Sequence, residues 1–317
     1  AAYAAVLTSL VRRVLPSAPL VGITAPAPGT GKSLLADAIS IIATGRRAAV
    51  LGLGKDDIEG DKRLTSALLA GDAVIAIDNV ERPMFGDLIC QALTQPNIRI
   101  RPLGSGYLVS TPTNIMLMVT ANNLDVRGDL RRRVMLVRLD ARVERPELRR
   151  FTTDFLQEIA RQRGELVQAG LTIIRAYLAS GDAQSDLPTF GGFEHWSRWC
   201  REPLTWLGLP DPLLASEMLR AQDPDLVIQQ QFFAAWFRVF EDEPVTAARI
   251  IAASDPQTNS GNDDLRSALD TVCAERIAPR RLTYWLRKHQ GRMIDGMRLE
   301  SRGVDNNHTM LWRLEKC

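Results

Sequence analysis

One stretch limits what this chain can fold into more than any other: Ala25-Pro26-Ala27-Pro28-Gly29-Thr30-Gly31-Lys32-Ser33. An apolar run precedes it, Leu20-Val21-Gly22-Ile23-Thr24, and an amphipathic run follows, Leu34 to Ile42. Strand, glycine-bearing loop and helix, in that order, are the context in which GxxxxGK[ST] means a phosphate cradle. Gly29 and Gly31 have no Cβ, so the backbone can wrap closely around phosphates and turn its N–H groups inward. Those donors add to the positive end of the following helix. Pro28, Gly29, Thr30, Gly31, Lys32, Ser33 and Leu34 are the candidate phosphate contacts. Lys32 is placed to reach the outer phosphates, and Ser33 to offer its hydroxyl to Mg²⁺. Pro26 stands where the first glycine of the pattern belongs, which fixes φ near −65° and removes one N–H.

With 317 residues the chain is long enough for two or three domains with real cores. Hydrophobic residues at 45% and charged ones at 24% are the proportions of a globular protein in water. No apolar run approaches the roughly 18 residues that span a bilayer, and no signal-peptide pattern opens the chain. The expectation is a cytoplasmic protein. A net charge of +2 means that any affinity for nucleic acid comes from local patches. Cys90, Cys200, Cys273 and Cys317 share no CxxC spacing, which argues against a zinc site and for a reducing compartment. The chain starts without methionine shortly before the loop and reads as a piece of something longer.

The pattern predicts a helix over 2–14, a strand at 20–24, a helix over 33–44 stopped by Gly45, and a strand from Ala48 to Leu53. A helix from Asp56 to Leu69 follows, then Ala73-Val74-Ile75-Ala76-Ile77, a continuous apolar run typical of a parallel strand buried on both faces. Pro83 suits the first turn of the next helix, to about Thr94. Ile98-Arg99-Ile100-Arg101, the turn Gly104-Ser105-Gly106 and Tyr107-Leu108-Val109 read as a hairpin. Buried strands at 115–119 and 134–137 flank a basic turn, Asp129 to Arg133. Alternating strands and helices predict a three-layer α/β domain on a parallel sheet over residues 1–145. Residues 146–240 read as a helical domain, broken at Gly181–Gly192, with Trp196, Trp199 and Trp206 as core. Over 241–317, helices from Pro244 through Ile251, from Leu265 to Arg276 and from Pro279 to His289, and strands at Met293–Leu299 and Met310–Leu314, with a polar loop at Ser254–Asp263, have the order of a winged helix-turn-helix, the alternative being a helical cap with a hairpin that binds protein.

Phosphoryl transfer needs positioning and charge stabilisation more than covalent help. Asp78, ending a buried strand, is placed to hold Mg²⁺ through its water shell, together with Ser33. The following position, normally acidic, is Asn79, which orients water without taking its proton. Glu81 is the nearest carboxylate able to act as base. Asn122 or Asn123, ending the next buried strand, can bond the γ-phosphate and the water. The run Arg131-Arg132-Arg133 follows closely, which puts at least one arginine beside the active edge of the sheet, from where it can reach a neighbouring subunit's γ-phosphate.

The set PAPGTGKS, VIAIDN, ALTQPNIRIRPLGSGYLV, VTANN and GDLRRR, in this order, resembles a superfamily 3 helicase of the AAA+ class. In particular it resembles the helicase module of phage- and plasmid-encoded primase-helicases, over roughly residues 15–150. The resemblance implies that Lys32 and Ser33 are the Walker A pair, Asp78 the Walker B aspartate, Asn122 the sensor asparagine, and Arg132 and Arg133 the paired arginines. It implies that Arg99, Arg101, Ser105 and Tyr107 belong to a hairpin projecting into a central channel. The tail is similar, less specifically, to appended winged-helix domains, with Arg280, Arg281, Arg287 and Lys288 as DNA contacts.

The resemblance implies a ring-forming motor driven by ATP and Mg²⁺ that moves on single-stranded or forked DNA, a homo-hexamer, and a primase domain nearer the N-terminus. An arginine acting in trans requires a heterologous interface, which closes into a ring. Two other classes fit the same residues: an ATP-dependent loader or remodeller that does not unwind, and a nucleotide-gated replication initiator.

Overall fold

In the computed structural model, which describes residues 1–149, 151–181, 186–221, 224–255, 262–274 and 276–317, the chain forms two compact units, Ala1–Arg220 and Ala221–Cys317. The first unit is built on β1 (Leu20–Ala25), β2 (Ala49–Leu51), β3 (Val74–Ile77), the hairpin β4 (Asn97–Ile100) and β5 (Val109–Pro112), β6 (Met116–Asn122) and β7 (Val134–Arg138). Between them lie α1 (Ala2–Val11), α2 (Lys32–Thr44), α3 (Asp57–Ala70) and α4 (Asp87–Thr94). Five strands form one sheet in the order β2-β3-β6-β1-β7, and every pairing in it is parallel.

The apolar runs account for the middle of this sheet. Every residue of β1 and β3, and every residue of β6 up to Ala121, is buried, as expected where helices cover a parallel sheet. Asp56 caps α3 by accepting from the Glu59 N–H at 2.8 Å, and glycines 45 and 71, both left-handed, stop α2 and α3. The helix expected from Pro83 starts instead at Asp87. Met84 forms a parallel bridge with Val126, donating to the Asp125 carbonyl at 2.9 Å and accepting from the Arg127 N–H at 2.8 Å. Those bonds keep residues 83–85 extended.

After β7 come α5 (Phe155–Arg161), α6 (Arg163–Ser180), α7 (Glu194–Trp196), a π-helical stretch at Ser197–Arg201, α8 (Glu202–Trp206) and α9 (Leu214–Ala221). The break read at Gly181–Gly192 contains 182–185, which lie outside the described residues. Phe190, Phe193, Trp196, Cys200 and Leu204 share one apolar core with the sheet. The Trp196 indole donates to the Thr8 hydroxyl of α1 at 2.7 Å. Trp199 only partly joins this core, and Trp206, 40% exposed, lies against Tyr177 at its edge.

The second unit runs α10 (Pro224–Phe240), β8 (Val245–Thr246), α11 (Ala247–Ala253), α12 (Asp263–Cys273), α13 (Pro279–His289), β9 (Met293–Ile294), β10 (Met297–Val304) and β11 (Met310–Lys316). Its strands form an antiparallel sheet in the order β8-β11-β10-β9. The helix expected from Pro244 begins at Ala247, because Val245 and Thr246 pair with Trp312 and Leu311. The strand expected over Met293–Leu299 is divided by a turn at Asp295 and Gly296, both at positive φ. The middle of the loop at Ser254–Asp263, and Glu275 in the helix expected to Arg276, lie outside the described residues. Phe232, Phe233, Trp236, Leu269, Leu286 and Trp312 lead this unit's separate core. Among the described residues no helix is long and apolar enough to cross a membrane.

Candidate functional site

The loop at residues 26–31 leaves the C-terminal end of β1, whose neighbours are β6 and β7. From there the chain crosses to β2 at the far edge of the sheet. A strand whose outgoing connections diverge in this way opens a crevice at its carboxyl end, the place where open parallel sheets hold ligands. Gly31, at φ 97, bends the loop into α2. The Lys32 side chain then folds back over the loop. Its Nζ donates to Asn122 Oδ1 at 2.7 Å, to the Ala27 carbonyl at 3.3 Å and to Thr30 Oγ1 at 3.5 Å. Burial lowers the ammonium's pKa from its usual value, and the nearby Asp78 opposes that shift.

Register brings the other groups to the same edge. Ala25 is level with Asn122, and Ile77 with Val119, so Asp78 and Thr120 face each other one step further on. Ser33 Oγ donates to Asp78 Oδ1 at 3.0 Å, and Thr120 Oγ1 donates to the same oxygen at 2.6 Å. Thr120 in turn accepts from the Asn79 N–H at 3.0 Å. It was not singled out from the sequence, although a hydroxyl within a run otherwise buried and apolar was the available signal. One hydroxyl and one carboxylate side by side suit a cation that keeps most of its water and takes its remaining ligands from phosphates, as Mg²⁺ does.

The two asparagines that follow these strands turn the backbone. Asn79 has φ 50 and Asn123 φ 47, left-handed values that Asn tolerates better than most residues. This separates the pair left open by the sequence: Asn122 meets Lys32, whereas Asn123 steers the chain off the sheet. Asn79 Nδ2 donates to Glu81 Oε1 at 3.1 Å, and both side chains are exposed at the crevice rim.

The arginines lie elsewhere than expected. Val134, immediately after Arg133, is level with Leu20, the first residue of β1. Arg131, Arg132 and Arg133 therefore stand at the N-terminal edge of the sheet, not beside the active edge. The reason is topological: β7 is parallel to β1, so the chain must return across the sheet before entering it. Arg133 is 15% exposed at its side chain and donates to the Cys90 carbonyl at 3.1 Å and to Thr94 Oγ1 at 2.8 Å on α4. Arg132 is 64% exposed and pairs with Asp129.

The hairpin pairs Ile100 with Val109 and Arg99 with Ser110. The returning strand starts at Val109, so Tyr107 belongs to the tip loop rather than to a strand. Tyr107 is 66% exposed, beside the exposed Leu103 and Leu108. Arg99 and Arg101 are also exposed. Arg101 Nε donates to the Ser105 carbonyl at 2.5 Å, and the Ser105 hydroxyl lies against the carbonyls of Pro102 and Tyr107 at 2.9 and 3.2 Å, so both side chains shape the turn. In the second unit Leu282, Leu286 and His289 are the buried face of α13. Arg280, Arg281, Arg287 and Lys288 are exposed, as is Tyr284 at 74%, which the sequence reading passed over. Arg281 also donates to the Cys273 carbonyl at 3.2 Å.

Sheet order and loop define the first unit as an α/β fold of the P-loop kind. No family model matches the chain, and no curated protein matches it. Among solved structures, the JCV helicase is similar with a TM-score of 0.32 and 13% identity, covering 73% of this chain and 63% of that one. The same helicase with N-(4-(2-(thiazolo[5,4-c]pyridin-2-yl)phenoxy)phenyl)acetamide bound gives 0.31 and 13%, over 65% of this chain and 61% of the other. The C-terminal region of NrS-1 gives 0.45 and 10%, over 98% of this chain and 70% of that one. The chain spans about three fifths of the length of the JCV helicase chains it matches. At these scores and identities the functional reading rests on the chain's own geometry.

Proposed function

We propose that the chain is an ATP-driven DNA helicase motor, acting as a homo-hexameric ring that translocates on single-stranded DNA and separates strands at a fork. The observation that carries this reading is the convergence of Lys32, Asn122, Ser33 and Asp78 at the switch point of the parallel sheet. Bound ATP and Mg²⁺ would supply the phosphoryl group and the counter-charge. Lys32, exchanging its contacts to Asn122 and the Ala27 carbonyl for phosphate oxygens, neutralises charge on the outer phosphates. Ser33 and Asp78 would hold the cation, with Thr120 fixing the carboxylate's orientation. Glu81 takes the proton of the attacking water, with Asn79 holding its carboxylate. Asn122, freed from Lys32, would be available to bond the γ-phosphate.

An arginine at the opposite edge cannot serve its own protomer's site, but in a closed ring it faces the next one. Arg132, exposed at the surface, is the residue assigned this task. The exposed arginines and Tyr107 of the hairpin supply charge and a stacking face for a single strand. The second unit, with β8 ahead of α11, α12 and α13 and with β9, β10 and β11 after them in the order of a winged helix, presents the basic face of α13 to duplex phosphates. Strand displacement on forked DNA with ATP tests the reading. Wild-type protein should displace the strand, and Lys32→Ala should lose both displacement and hydrolysis while keeping its fold. Hydrolysis stimulated by DNA without displacement would replace the helicase with a loader. ATP binding with negligible turnover would point to a nucleotide-gated initiator, the reading that Asn79 in an acidic position favours.

A further inference from the structure

Residues 146–149, which follow the edge strand β7, return to the phosphate loop, although nothing in their sequence marks them. A short 3-10 turn at Pro146–Leu148 seats its backbone on Gly29. A Cβ at Gly29 would lie 2.9 Å from both the N and the Cα of Glu147, and Gly29 has φ 69. Both facts demand glycine there, the second because left-handed backbone strains other residues and the first because no side chain fits. Arg149 locks the turn to the loop: its Nη2 donates to the Thr30 carbonyl at 3.2 Å, and its Nε to the Pro146 carbonyl, also at 3.2 Å. The same guanidinium lies 5.4 Å from the centroid of the Phe151 ring. Phe151 is 72% exposed.

An exposed phenylalanine is unremarkable alone. This one lies against a cation that also donates to the carbonyls of Pro146 and of the phosphate-loop residue Thr30. The guanidinium holds the ring by a cation–π contact and the loop by a hydrogen bond, so ring and loop keep a fixed relation.

We infer that Phe151, positioned by Arg149, is the platform on which the base of the bound nucleotide stacks. This rests on the phosphate-loop reading and adds to it a residue that distinguishes a nucleotide from a bare polyphosphate. The adjoining backbone and the guanidinium contribute polar groups at the rim, and the ring contributes a face that any purine covers. Adenine and guanine nucleotides should therefore both bind, with stacking rather than base-edge hydrogen bonds supplying the contact.

Binding of ATP, ADP and inorganic tripolyphosphate, each with Mg²⁺, to wild type, Phe151→Ala and Phe151→Trp tests this by calorimetry and fluorescence. Phe151→Ala should bind ATP and ADP about tenfold more weakly, within the range that aromatic–base stacking supplies, and tripolyphosphate as wild type does. Phe151→Trp should restore nucleotide affinity and add an emission, over the wild-type background, that ATP quenches and tripolyphosphate does not. Equal ATP affinity in wild type and Phe151→Ala would overturn the platform and leave the phosphate loop standing. So would equal weakening of ATP and tripolyphosphate, which would mark Phe151 as a support for the loop. Wild type binding neither ATP nor tripolyphosphate would overturn the phosphate loop and the platform together.

Discussion

The side-chain amide of Asn79 donates to the carboxylate of Glu81 across 3.1 Å, while the Asn79 backbone holds a left-handed φ of 50. One residue thus turns the chain away from β3 and fixes Glu81, the carboxylate between Asp78 and the bridge at Met84. Glu81→Gln should lower ATP turnover by about 10²–10³-fold, in the range expected for loss of a general base, with nucleotide affinity within about twofold of wild type. Asn79→Ala should slow turnover less, by about tenfold, since the carboxylate survives without its holder. Steady-state hydrolysis with parallel binding titrations checks both; a larger loss in Asn79→Ala than in Glu81→Gln would assign water positioning to the amide.

Arg132 and Arg133 are neighbours in sequence with different surroundings, and their substitutions should differ in kind. Arg133 ties the turn before β7 to α4, so Arg133→Ala should destabilise the first unit by about 2 kcal/mol, the scale of losing hydrogen bonds from a buried charged group. Arg132→Ala should leave the urea midpoint unchanged and still lose most hydrolysis. Mixed with Lys32→Ala, the Arg132→Ala protein should regain part of that activity. No recovery at any ratio, with mixed assembly confirmed, would rule out action across an interface.

Arg12 supports the sheet from below. It is 3% exposed, and burial lowers its pKa to about 10. Its guanidinium donates to the carbonyls of Ile115 at 2.8 Å, Leu15 at 2.7 Å and Thr113 at 2.5 Å. Arg12→Met would leave these acceptors unpaired and should cost roughly 3 kcal/mol or more, since each bond to a buried charged donor is worth about 1.5–3 kcal/mol. Chemical denaturation measures it; a loss below about 1 kcal/mol would mean that water replaces the guanidinium.

Duplex DNA binding by the second unit should show a steep salt dependence. Each phosphate contact made by Arg280, Arg281, Arg287 or Lys288 contributes about −0.9 to the slope of log K against log salt. Tyr284→Ala should weaken binding without changing that slope, whereas Arg287→Ala should flatten it by about one unit. Slopes that stay constant across all these variants would remove α13 from the interface.

What the sequence disclosed and what it concealed follow from how each signal arises. Strands β1, β3 and β6 were legible because burial on both faces leaves unbroken apolar runs, and the loop because glycine, lysine and serine are each required at fixed positions. Pro83 misled because a proline that can open a helix can equally sit in an extended bridge, and the bonds to Asp125 and Arg127 that decide it come from more than 40 residues away. Arg12 carries no signal of its burial in the sequence, since its partners are carbonyls, which no sequence pattern marks. The arginine turn was assigned to the wrong edge because nearness in sequence to Asn122 was taken for nearness in space. Arg149 and Phe151 carry no pattern of their own, and only the fold returns them to the loop.

The base of the β4–β5 hairpin is tied at each leg. Thr113 donates its N–H to the Pro96 carbonyl and its hydroxyl to the Gln95 carbonyl, and Arg12 holds the Thr113 and Ile115 carbonyls. Beyond Ile115 the chain enters β6, which is paired along its length with β1 and β3 and ends at Asn122. A hairpin clamped in this way cannot swing like an oar on a flexible pin. In the proposed ring, a stroke of its tip would be a tilt of the whole first unit, its length set by the angle through which one protomer rolls against the next.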